Sequence, residues 1–319
     1  MKTYEEILNG YHGSAIKPEA FDTFWCSMYQ KAQVAALNYT VTEAAFSANS
    51  HTKYYEIRMK GFRHSEIYAK YILPVSDEPV PVVLQFHGYP GASRGWFEQS
   101  SFAGLGMAVI AIDCPGQGGY TDYSAAPIGT QYSDHIIMGL DGQPEDFYYT
   151  ETFLNTCLAV RLAEALPEID SSRIYVNGAS QGGGLGLVCA ALNAGKIRKA
   201  AILYPFLTDY RCAYDNGSDS IVFTGMKYWR RWYDPTGARE EEMFTKLGYI
   251  DALNFADRIT CPVLFGTGLK DVLIPPKAQL AAYAAMKCEK QLVIYPDYGH
   301  EEIPDFDERI INFFSKEEI

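Results

Sequence analysis

The chain has 319 residues, of which 48% are hydrophobic and 21% are charged, an ordinary composition for a globular protein. Its net charge of −12 at pH 7 argues against a nucleic-acid partner, because a polyanion would be repelled over most of the surface. No run of about 18 apolar residues occurs, so no membrane partner or membrane-spanning helix is expected.

The cysteines indicate a reducing compartment. There are seven, an odd number, and no two of them form a C-x-x-C pair. The first six residues carry no apolar signal core, so we expect a cytoplasmic protein with free thiols. No cysteine–histidine spacing typical of a metal site is present, and no metal or cofactor is expected.

Residues 1–50 predict a polar helical extension. Pro18 is expected in the first turn of a helix, a position where its fixed φ fits. Large side chains then recur at helical spacing and predict packing against the main body rather than a cofactor site. These residues are Phe21, Phe24, Trp25, Met28 and Tyr29.

Two short β-branched and aromatic runs, 54–59 and 66–73, predict an antiparallel hairpin that turns near Gly61. Residues 80–86 form an apolar run that ends in the loop 87–91. This run predicts the first strand of a buried sheet, with its carboxyl end at that loop.

Strands and helices then alternate to the end of the chain. A long helix is predicted over 146–166, and the further strands over 107–113, 173–177, 200–205, 263–266 and 291–295. Continuous apolar strands between helices are typical of a mostly parallel sheet covered on both faces, so residues 1–319 are expected to form one α/β domain.

Residues 209–248 interrupt this alternation. Their tryptophans and the charged run 239–242 predict a helical insertion above the sheet, serving as a lid or an interface. The charged run itself is most simply a solvated helix face.

The pentapeptide 178–182 has the pattern G-x-S-x-G between the strand 173–177 and an apolar helix over 185–192. This context predicts a sharp turn that presents Ser180 at the carboxyl edge of the sheet. The backbone N–H of Gln181 would then lie at a helix N-terminus, where an anion is stabilised. An ordinary glycine-rich loop is the alternative.

A serine nucleophile requires a base and an acid that orients the base. Asp271 follows the strand 263–266, and His300 follows the strand 291–295, so both are expected beside Ser180 at the carboxyl edge of the sheet. Their order after the serine is the one this kind of site uses.

Other assignments stay open at this stage. Asp271 could cap a helix, and His300 could be an ordinary loop histidine. Asp297 is a less suitable acid because it is so near His300 in sequence. His87 and His135 precede the serine, and His87 is expected to shape the loop after its strand.

A second donor for an oxyanion is expected from the loop after the first parallel strand. The backbone N–H of Tyr89 is the candidate, to be paired with that of Gln181, since Pro90 has no N–H to donate.

Several motifs, taken together, resemble the acetyl xylan esterases and cephalosporin C deacetylases of carbohydrate esterase family 7. They are F-H-G-Y at 86–89, D-C-P-G-Q-G-G at 113–119, G-L-D-G-Q-P-E-D-F-Y-Y at 139–149, G-A-S-Q-G-G at 178–183, K-L-G-Y-I-D at 246–251 and P-D-Y-G-H-E at 296–301. The resemblance covers nearly the whole chain.

The resemblance implies an α/β-hydrolase fold with a catalytic triad of Ser180, Asp271 and His300. Tyr89 and Gln181 would form the oxyanion hole. Tyr89 would also contact the substrate, and the acyl pocket would include Phe102 and Leu273.

The substrates implied are short acetylated carbohydrates, mainly xylo-oligosaccharides, and small acetyl esters such as cephalosporin C. The family also implies a cytoplasmic homohexamer. One motif departs from the family pattern, because the arginine of its R-G-Q motif is Pro115 here. Proline supplies neither the charge nor the donors of a guanidinium.

Two other functions fit parts of the pattern. A serine peptidase of the same fold would act on short peptides and is distinguished by an assay on aminoacyl anilides. A non-catalytic binding protein would not react with a fluorophosphonate at Ser180.

Overall fold

One mixed sheet contains every strand in the part of the chain that the structure describes. The structure is a computed structural model, and it describes residues 4–46, 49–124, 134–216 and 220–316. The strands are β1 (Tyr39–Glu43), β2 (Thr52–Lys60), β3 (Ser65–Pro74), β4 (Val80–Phe86), β5 (Ala108–Ile112), β6 (Asp122–Tyr123), β7 (Ile169–Ala179), β8 (Ile197–Leu203), β9 (Val263–Gly268) and β10 (Lys290–Tyr295).

The strand order is β1-β2-β3-β5-β4-β7-β8-β9-β10, and β6 pairs with β3. β4 pairs in parallel with β5 and β7, and parallel pairing continues through β8 and β9 to β10. The first three strands are antiparallel, as the predicted hairpin requires, and β3 joins β5 antiparallel. The mostly parallel sheet is therefore confirmed.

Ten α-helices occur in the described residues. They are α1 (Tyr4–Gly10), α2 (Phe21–Val34), α3 (Trp96–Gln99), α4 (Tyr148–Ala165), α5 (Gln181–Leu192), α6 (Tyr210–Asp215), α7 (Thr224–Tyr233), α8 (Glu240–Leu247), α9 (Pro276–Ala285) and α10 (Pro304–Ser315). None of these helices combines the length and the apolar composition that a membrane span requires.

Alternate residues of the central strands face two separate apolar layers. Leu84 and Val176 face the layer that contains α4 and α5, whereas Val83 and Tyr175 face the layer that contains α10. This alternation follows from the two-residue repeat of a strand, and it gives each face of the sheet its own core. Ser180 lies at the junction of the two layers, where β7 ends and α5 begins.

The N-terminal part is only partly helical. The helix predicted from Pro18 is α2, and it begins at Phe21, because the Pro18 carbonyl accepts from the Phe21 N–H and closes a turn first. Trp25 is buried as predicted, and its Nε1 donates to the Tyr249 carbonyl. Residues 39–43 form β1, which extends the edge of the sheet beside β2.

Several other predicted boundaries are wrong by a few residues. The strand predicted over 200–205 begins at Ile197 and ends at Leu203, and the helix predicted over 185–192 begins at Gln181. The long helix begins at Tyr148, because residues 144–146 form a separate 3₁₀ turn. The strand before Ser180 begins at Ile169, four residues earlier than predicted. Within 209–248, the described residues contain α6, α7 and α8, and the acidic first turn of α8 pairs with Arg211 and Arg239.

Candidate active site

The turn that carries Ser180 is as sharp as the sequence predicts. Ser180 has φ 58° and ψ −123°, a conformation that a non-glycine residue rarely adopts. A Cβ on Gly178 would lie 2.1 Å from the Gly182 carbonyl oxygen, and one on Gly182 would lie 2.0 Å from that of Phe86. The two glycines are therefore required by close backbone contact, and that contact fixes where the serine is presented.

The structure brings Ser180, His300 and Asp271 together in a chain of hydrogen bonds. His300 Nε2 lies 2.8 Å from Ser180 Oγ, and His300 Nδ1 lies 2.8 Å from Asp271 Oδ2. The Asp271 side chain is buried, whereas the Asp297 side chain is 85% exposed and pairs with Lys270. Asp297 is therefore not the acid that orients His300.

Three further donors keep the Asp271 carboxylate in place. Oδ1 accepts from the backbone N–H groups of Leu273 and Ile274, and Oδ2 also accepts from Gln279 Nε2 at 2.9 Å. Gln279 is fully buried, and its Oε1 accepts from the Thr267 hydroxyl. Sequence reasoning missed Gln279, although its position in the first turn of the helix after Asp271 was a usable signal.

A closed network of side chains lies on the α5 side of Ser180. We call Gln117, Tyr148, Tyr149 and Gln181 the closed network. The two glutamine amides bond to each other in both directions, at 2.8 and 2.9 Å. Tyr149 also donates to Gln181 Oε1, and Tyr148 accepts from Gln117 and donates to the Pro115 carbonyl. The loop that carries Pro115 is thus fixed by hydrogen bonds between neutral groups.

The loop 87–93, which carries Tyr89, is fixed by two buried polar residues. The Cys114 N–H donates to His87 Nε2, so His87 Nδ1 carries the proton and donates to the Gly88 carbonyl. Burial lowers the pKa of His87, which favours this neutral form. Asp113 accepts from the Ser93 N–H at 2.7 Å. The predicted role of His87 in shaping this loop is confirmed.

The Tyr89 side chain contacts His135, a residue that was not predicted as the catalytic base because it precedes the serine in sequence. The Tyr89 hydroxyl lies 3.0 Å from His135 Nδ1, and the His135 ring packs on Tyr148 at 4.4 Å between centroids. Burial lowers the pKa of His135 to about 4, so the ring is neutral and Nδ1 can accept from Tyr89. Asp134, next in sequence, accepts from the N–H groups of Ile136 and Gly225.

Ser180 and His300 both line a cavity of about 440 Å³, which also contacts the loop 87–94 and α10. Gly88 approaches Ser180 closely enough that a Cβ on it would lie 3.9 Å from Ser180 Cβ. Gln181 is the first residue of α5, where a backbone N–H is not used by the helix itself. The peptide groups of 88–89 and 181 therefore flank the serine.

The two residues expected in an acyl pocket lie elsewhere than that cavity. Phe102 is buried on the α10 side of the sheet, where its ring packs near Phe314, so the structure does not bring it to Ser180. Phe102 contributes an apolar side chain to this second core rather than to an acyl pocket. Leu273 is half-buried and lies beside Asp271, to which its N–H donates, but it does not line the cavity either.

The sequence and the fold both match known proteins. The family model for acetyl xylan esterase (AXE1) matches residues 3–317. The chain belongs to the acetyl xylan esterase family. Acetyl xylan esterase 1 from Thermoanaerobacterium sp. JW/SL YS485 is 34% identical and superimposes with a TM-score of 0.95, with 98% of each chain covered. The α/β-hydrolase fold expected from the sequence is confirmed.

Two further family relatives extend the comparison. The acetyl xylan esterase from Paenibacillus sp. R4 is 30% identical, with a TM-score of 0.92 over 98% of this chain and 99% of that one. Acetyl esterase Axe7A from Xylanibacter ruminicola is 26% identical over 307 residues. That match spans 89% of this chain but only 63% of the longer Axe7A protein. Membership of this family indicates a carboxylic ester hydrolase.

Proposed function

We propose that this protein is a serine esterase that removes acetyl groups from short acetylated carbohydrates. The observation that carries the proposal is the continuous hydrogen-bonded series from Ser180 Oγ through His300 to Asp271, with 2.8 Å at each step. Family membership supports acetyl esters as the substrates.

In the proposed reaction, Ser180 Oγ attacks the acetyl carbonyl carbon while His300 Nε2 takes the hydroxyl proton. The buried Asp271 carboxylate keeps the His300 ring oriented and stabilises the imidazolium that forms. The backbone N–H groups of Tyr89 and Gln181 stabilise the oxyanion of the tetrahedral intermediate. Each such donor is worth about 3 kcal/mol in the barrier.

The intermediate then collapses as the bond between the acyl carbon and the alcohol oxygen breaks. His300 gives its proton to the departing sugar oxygen, which leaves an acetyl group on Ser180. A water molecule, deprotonated by the same imidazole, attacks this acyl-enzyme, and acetate leaves as the serine is restored.

The Ser180→Ala variant tests the proposal. We expect kcat/KM for p-nitrophenyl acetate to fall by about 10⁴-fold or more, because removal of a serine nucleophile has such an effect in comparable sites. Ser172→Ala, at an exposed serine of the same strand, is the matched control and should keep wild-type turnover. Retention of more than a few per cent of activity in folded Ser180→Ala protein contradicts the mechanism.

The substrate range is tested with a panel. Acetate release from acetylated xylo-oligosaccharides should exceed release from acetylated amino sugars, and cephalosporin C should be a further substrate. Cleavage of aminoacyl anilides in preference to all acetyl esters would instead favour a peptidase.

The family resemblance also supports the proposal of a cytoplasmic homohexamer. Size-exclusion chromatography with light scattering tests the assembly, and a monomer at micromolar concentration contradicts it.

A further inference from the structure

The cavity beside Ser180 contains three amide side chains on its α10 side, and we call Gln85, Gln99 and Asn177 the open amides. Gln85 and Asn177 are direct neighbours on β4 and β7, so their side chains share one face of the sheet. Gln99 ends α3 and is only 3% exposed. All three line the same cavity as Ser180 and His300.

None of the open amides forms a side-chain hydrogen bond with any residue in the described ranges, and Gln85 Oε1 is fully buried without a partner. A buried polar group without a partner costs about 1–3 kcal/mol, so such groups are uncommon and call for a physical explanation. Nearby positions on the same face carry Val83 and Tyr175. Apolar side chains therefore fit this layer, and the amides are not needed to build it.

The chemistry of the wall indicates what it would bind. A carboxamide is neutral and offers both donors and an acceptor, which matches a ligand with several hydroxyl groups. The mouth of the cavity carries Arg94, paired with Glu302 at 2.9 Å, and the additional carboxylate of Asp307. This balance of one cation and two anions disfavours a negatively charged ligand.

The remaining wall is apolar and comes from the start of α10 and the residue before it. Ile303, Phe306 and Ile310 line it, and the small parts of these largely buried side chains that reach the cavity make this wall apolar. A volume of about 440 Å³ lies within the range of about 300–1,000 Å³ that small-molecule sites occupy. The cavity therefore has the size and the lining for a small neutral carbohydrate unit.

We infer that this cavity is a subsite for the neutral, hydroxyl-bearing sugar portion of the ester, and that Gln85, Gln99 and Asn177 are its specificity-determining residues. The inference rests on the proposed esterase function, since the sugar would enter this subsite as its acetyl ester reaches Ser180. Hydroxyl groups of the sugar would satisfy amides that the protein leaves without partners.

The experiment compares Gln99→Met and Gln85→Met with wild type on two substrates, acetylated xylo-oligosaccharide and p-nitrophenyl acetate, which lacks a sugar. The readout is the ratio of the two kcat/KM values. Each substitution should lower this ratio roughly 5- to 10-fold, as expected when one or two hydrogen bonds to the substrate are lost. The melting temperature of Gln85→Met should stay the same or rise, because methionine removes the buried Oε1 that has no partner without leaving a void. The melting temperature of Gln99→Met should stay the same.

Gln33→Met is the matched control. Gln33 Nε2 is also buried without a partner, but this residue lies on α2, outside the cavity. Its replacement should leave the ratio at the wild-type value. A ratio that is unchanged in both cavity variants, or lowered equally in Gln33→Met, overturns the subsite. If wild type cleaves neither substrate, the proposed function fails first, which is a distinguishable result.

Discussion

Two groups of buried amides flank Ser180 and differ in how their hydrogen-bonding capacity is used. On the α5 side, Gln117 and Gln181 bond to each other and to two tyrosines. On the α10 side, the amides of Gln85 and Gln99 have no such bonds within the described part of the chain. The same residue type thus stabilises the fold on one side of the nucleophile and stays available to a ligand on the other.

The largest expected effect concerns Asp271. Both oxygens of its carboxylate are hydrogen-bonded, as are the side chains of the closed network. Asp271→Asn should lower kcat about 10⁴-fold, because an amide no longer stabilises the correct tautomer and charge of His300. Steady-state kinetics with p-nitrophenyl acetate measures this. Asp297→Asn, at the exposed aspartate near His300, should have wild-type kinetics, and a similar loss in both variants would contradict the assignment.

A second prediction compares the closed and open sides by stability. Gln181→Met removes the partner of Gln117 and Tyr149, so it should lower the free energy of unfolding by about 2–4 kcal/mol. Gln99→Met should not lower it. Urea denaturation of both variants measures the difference, and equal stabilities would remove the distinction between the two sides.

The smallest expected effect concerns His135, whose pKa is lowered to about 4 in the folded protein, against about 6.5 in an unfolded chain. Between these values the unfolded state binds more protons, so acidification from pH 6.5 toward 4 should destabilise the fold. His135→Asn keeps an acceptor for Tyr89 but cannot titrate. The loss of stability from pH 7 to pH 5 should therefore be about 2 kcal/mol smaller in this variant.

Asp134 adjoins His135, and burial raises its pKa to about 7. Its contribution has the opposite sign, because stability is lost as pH rises from about 4 toward 7. The aspartate is present in both proteins and cancels in the comparison. His51→Asn, at an exposed histidine, is the control and should follow wild type. Parallel stability curves for wild type and His135→Asn would contradict the prediction.

The sequence predicted those parts of the fold and site that depend on local pattern. The run 80–86 matches β4 residue for residue, because it is apolar apart from Gln85 and the glycine-containing loop after it marks its end. Ser180 was found from the two glycines that the turn requires. Asp271 and His300 were found because each lies in the loop that follows a strand.

What the sequence did not reveal depends on contacts between distant residues. Gln117 and Gln181 are 64 positions apart, and no local pattern distinguishes a paired glutamine from an unpaired one. The position of Phe102 in the second core depends likewise on α10, which comes about two hundred residues later. β1 is different, because it was missed although a local signal was present. The alternation in residues 39–43 is a strand pattern within the predicted helical extension.

The contact of Gly182 with the Phe86 carbonyl has a consequence for evolution and for engineering. The distance between β4 and α5 is set there by contact between backbone atoms, which cannot adjust as side chains can. β4 and α5 can therefore move only together. The same contact fixes the distance between the two peptide groups that flank the serine. A randomised library at position 182 should thus return glycine alone among its active clones, while chemical diversity in this enzyme accumulates in the walls around the serine.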